Sequence, residues 1–234
     1  MFDKESGNIE DFMYGATVAQ SHVSIRLGFL RKVYGILSVQ LGMTTVIGCI
    51  MMMFQESVRS FLKDNAWILF LCLILNIVVL ITMFVLRKTT PHNFLCLFLF
   101  TLIESITVGF IIIQYQVAAV LISLVLTLLV SVSLTIYTFQ TKRDFSTWGA
   151  GLFAGLVILC FGGIIQLFVK SSGLEIILAI GGAFLFSMLI IYDTWMAIHR
   201  LSAEEYILAC IDLYLDIINL FLHILRIVGA SRSN

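Results

Sequence analysis

The sequence predicts an all-α membrane protein, a seven-helix transmembrane bundle, from its composition and its hydrophobic pattern. Of the 234 residues, 60% are hydrophobic and only 12% are charged, and the mean hydropathy is +1.06. Soluble domains contain about 45–50% apolar and about 25% charged residues. A soluble core of this size could not bury so much apolar surface, so lipid must be the solvent for much of the chain.

Seven segments are apolar and long enough to span a membrane, which takes about 20 residues in a helix. They are predicted at 33–54, 66–86, 94–113, 117–139, 149–169, 174–197 and 203–228. The connections are short, so we expect one membrane domain over residues 33–228, a cytosolic N-terminal segment over 1–32 and a short C-terminal tail over 229–234. The seventh segment is more polar than the others, and both a full crossing and a re-entrant segment fit its sequence.

Lysine and arginine residues concentrate on the side of the predicted bundle that holds the N-terminus, which makes that side cytosolic. These residues are Lys4, Arg26, Arg31, Lys32, Arg87, Lys88, Lys142, Arg143 and Arg200. The loops of the other side contain only Arg59, Lys63 and Lys170. Arg226 and Arg232 near the C-terminus fit this bias better if the seventh segment is re-entrant than if it crosses fully.

The charge balance gives no indication of a nucleic-acid partner, and the cysteines give no indication of disulfides or of a zinc site. The 14 basic residues balance the 14 acidic ones, so no basic excess indicates nucleic acid. The five cysteines all lie in apolar runs and form neither a C-x-x-C pair nor a metal-binding spacing. We interpret them as small hydrophobic residues rather than disulfide partners or zinc ligands.

Four carboxylates lie beyond the first turn of the predicted spans, where an ionisable group needs a partner or a function. Glu104 is in the third span, Asp193 is late in the sixth, and Asp212 and Asp216 are in the seventh. The seventh segment begins with a capping-box pattern, Ser202-x-x-Glu205. Its polar residues then follow steps of four, three, four and three, which place them on one face of a helix. They are Asp212, Asp216, Asn219, His223 and Arg226.

This polar stripe must face protein or a water-filled cavity, because unpaired polar groups are not stable in lipid. One interpretation is that these groups only hold the helices together. The other is a buried acid cluster that binds cations or senses pH, since two close carboxylates cannot both ionise cheaply and one keeps a proton. The candidate ion-pathway and pH-sensing residues are Glu104, Asp193, Asp212, Asp216, Asn219 and His223. His223 by itself is more typical of a hydrogen-bonded structural histidine.

Several motifs across nearly the whole chain resemble the transmembrane BAX inhibitor motif (lifeguard) family. They are the segments 9–15 (IEDFMYG), 29–34 (FLRKVY), 100–104 (FTLIE), 137–146 (YTFQTKRDFS), 149–154 (GAGLFA), 190–194 (IIYDT) and 213–223 (LYLDIINLFLH). The resemblance implies a seven-helix bundle in which Asp193 and Asp216 pair as a pH-sensitive dyad, a candidate metal site for calcium. It also implies a calcium leak from Golgi or endoplasmic reticulum stores and restraint of apoptosis. Asp212 departs from the family pattern, where this position is usually small and uncharged.

The partners expected on this basis are membrane lipid, calcium as a permeant or bound ion, and membrane proteins of the calcium-release or cell-death machinery. Self-association into a homo-oligomer stays open, and no organic cofactor is expected.

A scaffold that only binds other membrane proteins is an alternative function. An intramembrane aspartyl protease is a weaker one: Tyr192-Asp193 matches the tyrosine-aspartate motif of that class, but Asp216 follows Leu215 rather than glycine and the only proline is Pro91. We therefore expect no enzymatic activity.

Overall fold

The computed structural model describes residue 18 and residues 23–86, 89, 91–202 and 204–232 of the chain. Within these residues the structure contains helices and no β-strand, and seven helices are long and apolar enough to cross a membrane. The predicted all-helical fold class is therefore confirmed. The acidic N-terminal residues, the first motif of the family resemblance, and Lys4, Arg87 and Lys88 lie outside the described residues.

Eight α-helices follow one another along the described chain, and all except the second have the length of a membrane span. They are α1 (Val23–Met53), α2 (Gln55–Asp64), α3 (Trp67–Leu86), α4 (His92–Ile112), α5 (Val117–Gln140), α6 (Gly149–Val169), α7 (Ser172–His199) and α8 (Tyr206–Arg232). A single 3₁₀ turn, Ser146–Trp148, leads into α6.

Two helix boundaries differ from the hydropathy pattern by several residues. Helix α1 begins at Val23, ten residues before the predicted first span, and its Arg26, Arg31 and Lys32 side chains are exposed. Helix α8 continues to Arg232, so most of the predicted tail is helical. Hydropathy marks the apolar part of a helix, whereas basic side chains at either end reach toward water and let the helix continue beyond it.

The short helix α2 was not predicted, because residues 55–64 are too polar and too few for a span. It is strongly amphipathic and buries Leu62 against Cys72, Phe110 and Ile113. Gln55 and Arg59 both donate hydrogen bonds from their side chains to the carbonyl oxygen of Ile113, each at 2.6 Å. That carbonyl follows the last residue of α4, so α2 satisfies one of the acceptors that a helix end leaves without an intrahelical partner.

The chain divides into two compact units, and the first comprises residues up to Ile113 together with Met196–Asp212. Its helices α1 and α4 are joined by buried polar contacts. Gln40 donates a hydrogen bond to the hydroxyl of Thr101 at 2.9 Å, and the Thr44 and Ser105 hydroxyls share another at 2.9 Å. Such interhelical hydrogen bonds contribute to helix association where lipid provides no hydrophobic driving force.

The second unit comprises Gln114–Trp195 and the chain from Leu213 onward. In it, α6 packs on α7 through glycines that admit large side chains. A Cβ atom at Gly155 would lie 2.7 Å from Leu185 Cδ1, and one at Gly162 would lie 2.5 Å from Leu178 Cδ2. The close approach of helices at small residues is the usual packing mode in membranes.

Helix α8 contributes its first turns to the first unit and the rest to the second. It is continuous over 27 residues, a length of about 40 Å at the rise of an α-helix. Within the second unit its last turns, at Gly229, lie against Tyr115 of the loop between α4 and α5. The length of α8 is enough for a full membrane crossing, and a full crossing by the seventh segment stays a prediction.

Candidate functional site

The second unit contains a pair of carboxyl groups inside the membrane-spanning part of the protein. The carboxyls of Asp193 on α7 and Asp216 on α8 lie within hydrogen-bonding distance of each other. Asp216 is buried and Asp193 is half-buried, and the apolar side chains of Ile190, Leu213 and Leu220 around them are almost fully buried. Two acids that the sequence placed in different spans therefore meet at one point between two helices.

The register between α7 and α8 is fixed two turns away from this pair. The rings of Phe186 and His223 stack with centroids 5.5 Å apart and an interplanar angle of 25°. Phe186 precedes Asp193 by seven residues, and His223 follows Asp216 by seven. Because a seven-residue step returns to the same helix face, antiparallel helices that join 186 to 223 also join 193 to 216.

A glycine makes this ring stack possible. A Cβ atom at Gly182 would lie 2.3 to 2.5 Å from three atoms of the His223 imidazole, so the ring rests directly on the backbone of α7. His223 is buried, and its Nδ1 has no hydrogen-bond partner among the described residues. The histidine is thus held by packing between Gly182 and Phe186.

Asn219 lies on the same stripe of α8 but does not join the two helices. Its side-chain amide donates a hydrogen bond to the carbonyl oxygen of Leu215, one turn earlier in its own helix, at 2.8 Å. Just before α8 begins at Tyr206, the Glu205 carboxylate accepts hydrogen bonds from the backbone N–H and the hydroxyl of Ser202, each at 3.1 Å, so one half of the predicted capping box forms.

The other two intramembrane acids belong to the first unit. The Glu104 carboxylate on α4 accepts a hydrogen bond from the Asn76 side chain on α3 at 2.8 Å. Asp212 is half-buried on α8, one turn before Asp216 along the helix. Placing Glu104 and Asp212 on one pathway with the Asp193–Asp216 pair stays a prediction.

Sequence reasoning missed Asn76 as the partner of Glu104. The signal was present, since Asn76 is the only amide side chain in the apolar helix α3. A lone polar residue in an apolar span generally faces another polar group. The sequence did not indicate which of the other spans would supply that group.

The carboxyl pair offers few side chains that could coordinate a resident metal ion. Among the described residues, no group of three or more histidine, cysteine, aspartate or glutamate side chains is placed to hold one. Calcium typically takes six to eight oxygen ligands, and Asp193 and Asp216 provide at most four. The pair therefore fits a shared proton, or a cation that is largely hydrated, better than a tightly bound ion.

The fold and this site define a multi-pass α-helical membrane protein whose ionisable groups lie between its helices. The family model described as inhibitor of apoptosis-promoting Bax1 matches residues 26–233, so the chain belongs to the Bax inhibitor family. This confirms the family resemblance of the sequence motifs.

Individual relatives are similar over almost the whole chain. Protein lifeguard 4 of Mus musculus is 46% identical, covering 94% of this chain and 92% of its own length. The Golgi anti-apoptotic protein of vaccinia virus (strain Lister), whose motifs this chain also resembles, is 42% identical, covering 96% of this chain and 94% of its own length. Bax inhibitor 1 of Schizosaccharomyces pombe is 36% identical, covering 98% and 86%.

Proposed function

We propose that this protein is a pH-sensitive cation leak channel of intracellular membranes that carries calcium, modulates calcium stores and restrains apoptosis. The names of its relatives support the restraint of apoptosis, because both the Golgi anti-apoptotic protein and Bax inhibitor 1 are named for it. The contact between the Asp193 and Asp216 carboxyls is the single observation that supports a pH-sensitive pathway.

The proposed gate is a proton shared by the two carboxyls. While one carboxyl keeps its proton, it donates a hydrogen bond to the other and holds α7 and α8 together. When the pH rises and this proton leaves, two negative charges about 4 Å apart repel with roughly 4 kcal/mol at an effective dielectric constant near 20. A change of about 5.5 kcal/mol moves a two-state equilibrium from 1:99 to 99:1, so repulsion of this size is enough to open most of the closed population.

The opened site suits a hard cation. Carboxylate oxygens are the preferred ligands of calcium, and the at most four oxygens of two carboxylates are too few to trap an ion that takes six to eight. Such a site binds calcium weakly enough for the ion to leave, which is what conduction requires. Calcium is therefore proposed as a permeant ion and not as a structural one.

The proposed location is the membrane of the Golgi or the endoplasmic reticulum, with the N-terminus in the cytosol. The name of the viral relative, Golgi anti-apoptotic protein, supports a location in the Golgi membrane. The basic residues that the sequence places at one end of the bundle support the orientation. A full crossing by α8 then brings the C-terminus to the lumenal side.

The experiment that tests the gate measures calcium flux in vesicles reconstituted with the purified protein, from about pH 5 to about pH 8. We expect flux to rise with pH for the wild type. Asp193→Asn and Asp216→Asn each remove one titrating group and should abolish this pH dependence. If both variants keep the wild-type pH curve, the gate lies elsewhere; if the wild type conducts no calcium, the channel proposal is wrong.

A scaffold that binds other membrane proteins is a second candidate, and helix α1 supports it. The sequence aligns small residues on one face of this helix: Gly35, Ser38, Gly42, Thr45 and Cys49. All five are exposed, and a Cβ atom at Gly35 or Gly42 would meet nothing within 4 Å in the described structure. A face of this type is suited to a helix of another chain. Gly35→Leu should weaken co-purification of membrane partners, or self-association, and leave vesicle flux unchanged if the two functions are separate.

A further inference from the structure

The second unit contains a polar cavity that is separate from the carboxyl pair. Its volume is about 400 Å³, and it lies where the loop between α4 and α5, the start of α7 and the end of α8 meet. Its polar lining includes Gln114, Tyr115, Gln116, Glu175, Arg226 and Arg232. Cavities of about 300–1,000 Å³ with a few convergent polar groups are the usual size and character of small-ligand sites.

One of the residues that line this cavity is a tyrosine, Tyr115, which packing holds in place. A Cβ atom at Gly229 would lie 2.6 Å from Tyr115 Cε1, so the Tyr115 ring rests on the backbone of α8. Burial raises the pKa of the phenol above its usual value of 10.0, while the charge of Arg226 opposes this rise and that of Glu175 adds to it. The phenol therefore stays protonated at neutral pH, as a hydrogen-bond donor with a cation and an anion nearby.

The charge of the lining favours an anion. Two arginines and one glutamate give the cavity a net charge of +1. This excess lies at the end of the protein where basic residues are otherwise rare, beside the uncharged loop Gln114–Gln116. The basic-residue bias of the loops therefore leaves Arg226 and Arg232 unexplained, and a bound anion accounts for them. Arginine binds phosphate through two parallel hydrogen bonds, which makes it well suited to phosphate groups.

The surroundings of the cavity favour a lipid over a soluble metabolite as its ligand. The cavity lies at the ends of helices that are long enough to span a membrane, and phospholipid headgroups lie at the ends of such helices. Ile176 is part of its lining, and Ile180, one turn further along α7, continues the same face toward the membrane centre. These side chains are 40% and 56% exposed, so an apolar track extends from the polar cavity into the acyl region.

We propose that this cavity binds the headgroup of a phospholipid of the phosphatidylethanolamine type. The phosphodiester is bound by Arg226 and Arg232, and Tyr115 donates a further hydrogen bond to it. The ammonium group faces the Glu175 carboxylate, and an acyl chain lies along Ile176 and Ile180. The lining of the cavity includes none of the residues of the proposed ion pathway.

The test uses the full chain purified in detergent and stripped of lipid, with the midpoint of thermal unfolding as the measurement. Ligands that bind only the folded state raise this midpoint. We expect phosphatidylethanolamine to raise it by about 2–4 °C, in the range that about 1 kcal/mol produces for a protein of this size. Native mass spectrometry should show one retained lipid. Diacylglycerol, which lacks the phosphate, and soluble phosphoethanolamine, which lacks the acyl chains, should each give a much smaller shift.

Arg226→Gln should remove most of the shift with phosphatidylethanolamine, and Arg226→Lys should restore part of it because the charge returns without the planar pair of donors. Arg143→Gln, which removes an exposed arginine of the loop before α6, is the matched control and should respond as the wild type does. If Arg226→Gln does not fold, Arg232→Gln in the exposed last turn takes its place.

Three results would overturn the proposal. An undiminished lipid shift in the arginine variants would show that the lipid binds elsewhere. An equal shift with diacylglycerol would show that acyl chains bind without headgroup recognition. An equal shift with soluble phosphoethanolamine would overturn the lipid as the source of the phosphate and assign the cavity to a free phosphate ester.

Discussion

Gly182 of α7 lies directly beneath the imidazole ring of His223 on α8, closer than any side chain at that position would allow. This contact sets how deeply the two helices pack and in which register they meet. The Asp193–Asp216 pair lies two turns away on the same faces. The packing of one glycine against one histidine thus determines whether two acids of different spans can share a proton.

Gly182→Ala should destabilise the protein by about 1–3 kcal/mol, because the added methyl group overpacks the interface with His223. Thermal unfolding in detergent measures the effect. Gly181→Ala is the matched control: no atom lies within 4 Å of a Cβ there, so the substitution should be neutral. The double variant Gly182→Ala/His223→Ala should recover much of the loss, and equal losses in the single and double variants would contradict the contact.

Asn76→Leu should destabilise the protein by about 1–3 kcal/mol, since it leaves the Glu104 carboxylate without its hydrogen-bond donor. Thr82→Val is the control on the same helix, because Thr82 bonds only to the Val78 carbonyl of its own helix. Replacing both partners, as Asn76→Leu/Glu104→Leu, should be closer to neutral than Asn76→Leu alone. Unfolding in detergent distinguishes these cases.

Glu104→Gln should change calcium flux while the protein still folds, because the amide oxygen of glutamine can still accept the hydrogen bond from Asn76. Vesicle flux and the unfolding midpoint are measured on the same preparation. A variant with wild-type stability and wild-type flux at every pH removes Glu104 from the proposed pathway.

Asp212→Asn should shift the flux curve to lower pH, by up to about one pH unit. The negative charge of Asp212 lies one turn from Asp216 and opposes the loss of the shared proton, so its removal lets the gate open at lower pH. Glu204→Gln, which alters an exposed acid before α8, is the control and should leave the curve in place. A midpoint that stays the same or rises in Asp212→Asn contradicts this electrostatic effect.

Tags at the two termini should report opposite sides of the membrane. In sealed vesicles with the cytosolic face outward, an added protease should remove a tag at Met1 and spare a tag after Asn234, because seven predicted crossings separate them. Detergent-permeabilised vesicles are the control, in which both tags are digested. Digestion of both tags in sealed vesicles would show that α8 does not cross, and protection of the Met1 tag would reverse the predicted orientation.

Three features could be predicted from the amino-acid sequence: that lipid surrounds much of the chain, where the seven spans lie, and which acids are inside them. These features depend on hydropathy, length and local capping, which operate within one segment of chain. The contact between Ser202 and Glu205, just before α8 begins, is of this kind. The face of α8 that carries Asp216 and His223 also follows from helical spacing alone.

The pairing of helix faces could be read only from the tertiary structure. Helical spacing places Asp193 and Asp216 each on a face of its own helix, but the register between α7 and α8 depends on the fit of His223 over Gly182. The donor to Glu104 came from α3, and the donors to the Ile113 carbonyl came from α2, a helix too polar and short for the hydropathy pattern to reveal. Pairing between segments depends on side-chain shape and on hydrogen-bond geometry across helices, and neither is encoded in the periodicity of one segment.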